Sequence, residues 1–283
     1  MPLDIVQNKL IPLSADLDFK VQYEPTKMKD HKYVCRSDTG EYLGIVGNGF
    51  KCASHPTFYN AIEEVIQDNR DYADLLGAEV KMSTARNNAW AMVDITLPNV
   101  SHTITTSKHQ TTINERIVGL HAIDGSCSNQ VYFGAIDTFC LNGQISGDFD
   151  KIRKKNTSGF SIDTFIHELK NSKSTFDARQ SYLQSMADTP LNVDGKTLLE
   201  KIIKSDQLAK KMYELTCVEI AKRGKNVFAL YSAFTNYASY ADDRNGFALR
   251  NTGKDTASQS MWAREQKVSQ WVSSPEFKSL MVA

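Results

Sequence analysis

The segment from residue 89 to residue 142 constrains the fold most strongly, because its apolar side chains recur with the period of a β-strand. Between residues 89 and 97, every second position carries an inward-facing apolar side chain: Ala91, Val93, Ile95 and Leu97. This alternation is typical of a strand with one buried face. Further strand candidates follow at 101–107, 113–123 and 129–142, joined by short turns. Consecutive strands with short connections predict an antiparallel meander.

The flanking segments predict a hairpin before the meander and helices on either side of it. Residues 33–36 and 42–46 flank a good turn sequence, and Ser54 can cap a helix at about 55–69. After residue 160 the apolar spacing becomes helical, with helices predicted near 162–183, 197–223, 226–240 and 257–272. Lys222-Arg223-Gly224 is a suitable helix end.

The predicted fold class is therefore α+β, with a curved antiparallel sheet crossed by a helix and followed by a helical C-terminal region. We expect three segments. Residues 1–30 form an irregular lead-in, residues 31–160 form the α+β part, and residues 161–283 form the helical part. The last two are expected to pack together as one unit.

Composition favours a soluble protein of the cytoplasm. The five cysteines form no Cys-x-x-Cys motif, and no secretory signal is visible. No apolar run reaches the about 18 residues that a membrane-spanning helix needs. No residue pattern predicts a cofactor or a metal centre.

A basic run is the best candidate for a binding site. Residues 1–150 carry 12 Lys and Arg against 19 Asp and Glu, whereas residues 151–283 carry 21 against 14. Four cations open the second part: Lys151, Arg153, Lys154 and Lys155. The hydroxyls and amides of residues 156–159 follow, and this mixture suits phosphate groups. We therefore predict a basic phosphate-binding loop, although a solvated loop would show the same pattern.

Other side chains could complete a nucleic-acid surface. The weaker candidates for phosphate contacts on the sheet are Arg116, Arg86 and Lys81. Single-stranded nucleic acid also needs aromatic faces for its bases, and the candidates for stacking are Tyr132, Phe133 and Phe160.

The chain lacks the common catalytic motifs, so no catalytic residue is predicted. No P-loop, no Gly-x-Ser-x-Gly elbow and no His-Glu-x-x-His pattern occurs. His121, Asp124 and Asp137 lie near predicted strand ends or turns, where metal ligands often occur. They leave a metal-dependent nuclease or hydrolase as an alternative.

Several segments together resemble a phage- and plasmid-related family, the domain of unknown function 932. Residues 33–47 resemble its opening hairpin, Asp124-Gly125-Ser126 its aspartate–glycine–serine turn, and residues 230–237 its C-terminal helix. Phe139-Cys140-Leu141-Asn142-Gly143 resembles its cysteine–asparagine signature. The family's usual histidine before the aspartate is replaced here by Ile123.

The resemblance implies a virus- or plasmid-borne protein of DNA metabolism in a bacterial cell. By fold analogy, the layout is also similar to the single-strand annealing proteins RecT, Red-beta and Erf, which bind single-stranded DNA as rings of subunits. The first hypothesis is therefore single-stranded DNA binding and annealing by a homo-oligomer, in recombination or replication. The alternatives are the nuclease and a structural or host-interaction protein.

Overall fold

The computed structural model describes residues 9–137, 142–144, 151–159, 161–171, 175–240 and 257–282. It has the predicted α+β class, with two antiparallel sheets and helices concentrated in the C-terminal part. The first sheet contains three strands in the order β1-β2-β3: β1 Val21–Pro25, β2 His31–Arg36 and β3 Tyr42–Gly47. The predicted hairpin is confirmed as β2 and β3.

The second, larger sheet contains the predicted meander. Its strands are β4 Glu79–Ala85, β5 Trp90–Thr105, β6 Gln110–Ala122, β7 Asn129–Asp137, β8 Asn142–Gln144 and β9 Lys151–Lys154. The order is β4-β5-β6-β7, and both β8 and β9 pair with β7. The two strands predicted between residues 89 and 107 are one long strand. It has a register shift between Leu97 and Ser101, where Pro98 cannot donate a ladder hydrogen bond.

The helices confirm the predicted change of period, with two differences. They are α1 His55–Asn69, α2 Tyr72–Leu75, α3 Ile162–Asn171, α4 Thr175–Asp188, α5 Gly195–Ile202, α6 Asp206–Arg223, α7 Val227–Tyr240, α8 Ala257–Val272 and α9 Pro275–Lys278. The helix expected at 197–223 is two helices, because Ile203 adopts an extended conformation. The helix expected at 162–183 is also divided, into α3 and α4.

Helix ends follow the sequence signals. The Ser54 side chain accepts a hydrogen bond from the Thr57 N–H at the start of α1, as its capping role requires. At the C-terminal end of α6, Gly224 has a φ of 91°, a value that residues with a Cβ rarely adopt.

Three apolar layers enclose the larger sheet. One face packs against α1 and α3 through residues such as Phe58, Ile117 and Phe165. Trp262 of α8 packs with Trp90 on the opposite face. The third layer joins helices α4 to α9 to the sheet residues Ile104, Ile113 and Ala135. No helix in the described part of the chain is long and apolar enough to cross a membrane.

The N-terminal lead-in is more ordered than predicted. Strand β1 lies inside it, and its exposed residues gave no alternating signal. Leu10, Ile11 and Leu17 are buried against α1, and the Glu63 carboxylate accepts hydrogen bonds from the N–H groups of Leu10 and Ile11. This segment therefore docks on the core of the same chain.

Candidate functional site

The basic segment is a strand, which corrects the predicted loop. Lys151–Lys154 forms β9 and pairs antiparallel with Asn129–Tyr132 of β7. Because side chains alternate along a strand, Arg153 and Lys154 lie on opposite faces of the sheet. The Nε of Arg153 donates to Ser128 Oγ at 2.7 Å, whereas Lys154 Nζ lies 2.6 Å from the Glu168 carboxylate on α3. The cations therefore do not form one continuous patch.

Two of the four cations meet at a surface pocket. The pocket has a volume of about 170 Å³, and its lining combines two cations, a glycine and three hydroxyl side chains: Lys154, Lys155, Thr157, Gly159, Ser161 and Thr164. Lys155 is exposed and Lys154 is partly exposed. The side chain of Lys151 lies outside the described residues.

The N-terminal end of α3 forms one wall of this pocket. Ser161 precedes the helix, its carbonyl accepts from the Phe165 N–H, and its hydroxyl accepts from the Thr164 N–H at 3.4 Å. The first N–H groups of a helix and its dipole favour an anion. Two ammonium groups and several hydroxyl donors beside that helix end suit a phosphate oxygen.

The loop between β9 and α3 is anchored by a buried asparagine. The Asn156 side-chain amide donates to the carbonyls of Ala122 and Cys127, at 2.9 and 3.3 Å. The Lys51 N–H donates to the Asn156 carbonyl, and the Ser158 N–H donates to the Gly49 carbonyl. The sequence showed Asn156 only as one of several polar loop residues, because its partners lie about thirty and one hundred positions away.

Arg116 is not available to a phosphate, which corrects its place among the candidates. It is 3% exposed, and its guanidinium pairs with Asp94 at 2.6 Å and with Glu265 at 3.0 Å. Arg86 is exposed but pairs with Asp124 at 2.5 Å. Lys81 is exposed on β4, on the opposite side of the meander from β9.

The stacking candidates are not assembled into a platform. Tyr132 is 3% exposed and packs edge-on against Trp262, with ring centroids 4.6 Å apart. Its hydroxyl donates to Gln130 Oε1 and lies 3.2 Å from Gln266 Oε1. Phe133 is partly buried against the layer beneath α1. These positions contradict a stacking role for Tyr132, and Phe160 lies outside the described residues.

The histidine and aspartates of the alternative hypothesis lie in two separate places. His121 is fully buried on β6, and its Nδ1 lies 2.8 Å from Nδ1 of His55 on α1. Asp137 pairs with Ile113 at the other end of β6, eight residues away from His121. There it accepts hydrogen bonds from Thr111 and Arg223. Within the described residues, no group of three or more possible ligands could hold a metal ion.

Asp124 has a structural role in the turn that precedes β7. Its side chain is inaccessible, one carboxylate oxygen accepts from the Ser126 N–H at 2.9 Å, and the other accepts from Arg86. Arg86, Asn87 and Asn88 all have positive φ values between 53° and 61°. This left-handed turn directs the Arg86 guanidinium to Asp124 and the Asn88 carbonyl to His55 Nε2, at 2.8 Å.

The basic pocket, the histidine pair and the turn at Asp124 all lie within a region that matches a known family model. The model, described as Domain of unknown function (DUF932), matches residues 42–276, which is most of the chain. The chain belongs to the DUF932 family. The resemblance predicted from the sequence is therefore confirmed, although residues 33–41 of the hairpin precede the DUF932 match.

Neither the comparison with curated proteins nor the comparison with solved structures finds a match. The analogy with RecT, Red-beta and Erf is accordingly not supported by them. The DUF932 match does include the pocket residues, Asp124 and the histidine pair. What the pocket binds must therefore be argued from its own chemistry.

Proposed function

We propose that this protein binds single-stranded DNA through its phosphate groups and promotes annealing in phage or plasmid recombination or replication. The observation that carries the proposal is the pocket in which Lys154 and Lys155 face the N-terminal end of α3. Cations, hydroxyls and helix N–H groups are the phosphate-binding elements of many nucleic-acid proteins. Binding of this kind requires no reactive side chain.

The pocket reduces the number of residues that are proposed to contact phosphate. Lys154 and Lys155 provide the central phosphate contact, with hydroxyl donors from Thr157, Ser161 and Thr164. Arg153 does not join this contact, because it lies on the opposite face of β9 from Lys154 and donates to Ser128 Oγ. Arg116 is omitted because its charge is already neutralised by two carboxylates.

Assembly into a ring or filament is part of the proposal. The acidic excess of residues 1–150 and the basic excess of residues 151–283 would attract each other in a head-to-tail arrangement. Electron micrographs with and without single-stranded DNA test this part separately. If the protein is a monomer with and without DNA, the assembly part of the proposal is wrong. The phosphate contact is then tested by the binding measurements alone.

Binding itself is tested by fluorescence anisotropy with a labelled oligonucleotide over a salt series. We expect affinity to fall as salt rises, because each phosphate contact on a single strand contributes about 0.7 to the logarithmic slope. The double variant Lys154→Gln/Lys155→Gln should weaken binding at low salt and reduce the slope by about 1.4, the loss of two such contacts.

The matched control is Lys210→Gln, which removes an exposed lysine from α6, away from the pocket. It should leave both affinity and slope unchanged. Absence of binding at about 50 mM salt would overturn the proposal, because phosphate contacts are strongest at low salt. Equal losses in the pocket variant and the control would assign the effect to total charge.

A further inference from the structure

A buried row of polar residues crosses the larger sheet beneath α1. The β6–β7 register pairs Leu120 with Gln130, so the next step places His121 opposite Asn129. Asn129 in turn pairs with Lys154 on β9. Tyr59 of α1 lies over this row, with its ring centroid 6.4 Å from that of His121. His121, Asn129 and Tyr59 are all 0% exposed.

Four polar atoms of these residues have no hydrogen-bond partner among the described residues. They are His121 Nε2, Tyr59 Oη, Asn129 Oδ1 and Asn129 Nδ2. Leaving a buried polar group unsatisfied costs about 1–3 kcal/mol, and native interiors contain few such groups. Three of these atoms belong to neighbouring strands and the fourth to the helix that lies over them, which indicates a common partner.

The histidine pair fixes which hydrogen-bonding role that partner must take. The Asn88 carbonyl can only accept, so His55 Nε2 carries a proton and donates to it. Burial lowers the pKa of His55 to about 4, so this imidazole is neutral and its Nδ1 is an acceptor. His121 Nδ1 must then donate to His55 Nδ1. The remaining nitrogen, His121 Nε2, is therefore a bare acceptor that requires a donor.

We propose that this row holds a neutral hydroxyl guest that donates to His121 Nε2 and is bonded by Tyr59 and Asn129. Ordered water fits this role, because buried waters typically make about three hydrogen bonds to otherwise unsatisfied polar groups. The hydroxyl group of a small neutral molecule would offer the same chemistry. An ion does not fit, since Tyr59, Asn129 and the neutral His121 carry no charge that would pair with it.

The sign of a stability change tests for the guest. If the Tyr59 hydroxyl bonds a guest, Tyr59→Phe should lower the Tm by about 2–4 °C, as expected for losing about one hydrogen bond in a chain of this size. If the hydroxyl has no partner, the same variant should raise the Tm. Asn129→Leu should likewise lower the Tm if its amide bonds a guest and raise the Tm if the amide has no partner. The control Tyr42→Phe removes a hydroxyl from a residue that is 52% exposed and should change nothing.

The double variant and NMR separate a shared guest from separate local effects. Because both residues bond one guest, Tyr59→Phe/Asn129→Leu should lower the Tm by less than the sum of the single variants. Imidazole ¹⁵N shifts should show a protonated Nδ1 and an unprotonated Nε2 for His121. Cross-peaks between buried water and the His121 ring would identify water, whereas a small molecule released on denaturation would identify the other source.

A Tm increase in Tyr59→Phe, a protonated His121 Nε2, or additive effects in the double variant would each overturn the proposal. So would direct bonding among the three side chains with neither a water cross-peak nor a released molecule. None of these readouts depends on DNA binding, so the result is independent of the proposed function.

Discussion

At the scale of single residues, the buried histidine pair makes stability depend on pH. Burial lowers the pKa of His55 to about 4 and that of His121 well below its ordinary value. Asp124 acts on His55 in the opposite direction but does not outweigh burial. Protonation would place a positive charge in an apolar layer, so the folded state holds both rings neutral.

The folded pKa of His55 lies below the unfolded value of about 6.5, so the unfolded state binds more protons between these values. Stability is therefore complete above about pH 6.5 and is lost as the pH falls toward 4, by about 2 kcal/mol at pH 5 from His55 alone. Urea unfolding at pH 7, 6 and 5 measures this loss. Most carboxylates do not titrate in that window.

The variant His55→Gln should remove the share of this dependence that comes from His55 and leave the share from His121, because glutamine does not titrate but can still donate to the Asn88 carbonyl. His31→Gln is the control, since His31 is exposed on β2 and should leave the slope unchanged. If His55→Gln kept the full pH dependence, another group would have to be responsible.

At the scale of elements, the strand β9 shows why part of the site could not be predicted. Three of its four residues are cations, and only Ile152 is apolar, so the segment has the composition of a loop. Pairing with the edge of β7 makes it a strand. The meander, the hairpin and α1 were predictable because their apolar periods are local properties of the sequence.

The burial of two site candidates also could not be predicted from the sequence pattern. Arg116 is neutralised in part by Glu265, which lies 149 positions later in the chain. Tyr132 is covered by Trp262 of α8, which lies 130 positions later in the chain. The cations of the pocket could be named because they are adjacent in sequence. The helix end that faces them required the fold.

The ion pair between Lys154 and Glu168 should compete with DNA for the pocket. The two side chains are 38% and 40% exposed, and such pairs are typically worth about 0–1 kcal/mol. Glu168→Gln should therefore raise affinity for single-stranded DNA by up to about fivefold, the factor that corresponds to 1 kcal/mol. Fluorescence anisotropy at fixed low salt measures the change.

Glu64→Gln is the matched control for this prediction. Glu64 pairs with Lys170 at 3.1 Å on the neighbouring surface of α1 and α3 but does not line the pocket. The variant Glu64→Gln removes the same charge as Glu168→Gln but leaves the Lys154–Glu168 ion pair intact. Equal gains in both variants would show that overall charge, and not the local pair, controls affinity.

At the scale of the whole molecule, buried charges join the helical part to the larger sheet. Arg223 at the end of α6 is 0% exposed and donates to Asp137 of β7 at 2.8 Å and to Glu219 at 3.0 Å. Thr111 of β6 donates to the other oxygen of Asp137. The apolar layer of α4 to α9 also contains Ile104, Ile113 and Ala135 of the sheet.

Because these contacts cross between the two parts, we expect them to unfold together. Asp137→Ala removes one partner of a buried ion pair, which typically costs about 3–5 kcal/mol. It should therefore lower the Tm of a single transition, with far-UV and near-UV circular dichroism moving together. The control Asp18→Ala, at an exposed aspartate, should leave the Tm unchanged. Two separate transitions, or a shift in only one signal, would show that the sheet and the helices unfold independently despite the buried charges between them.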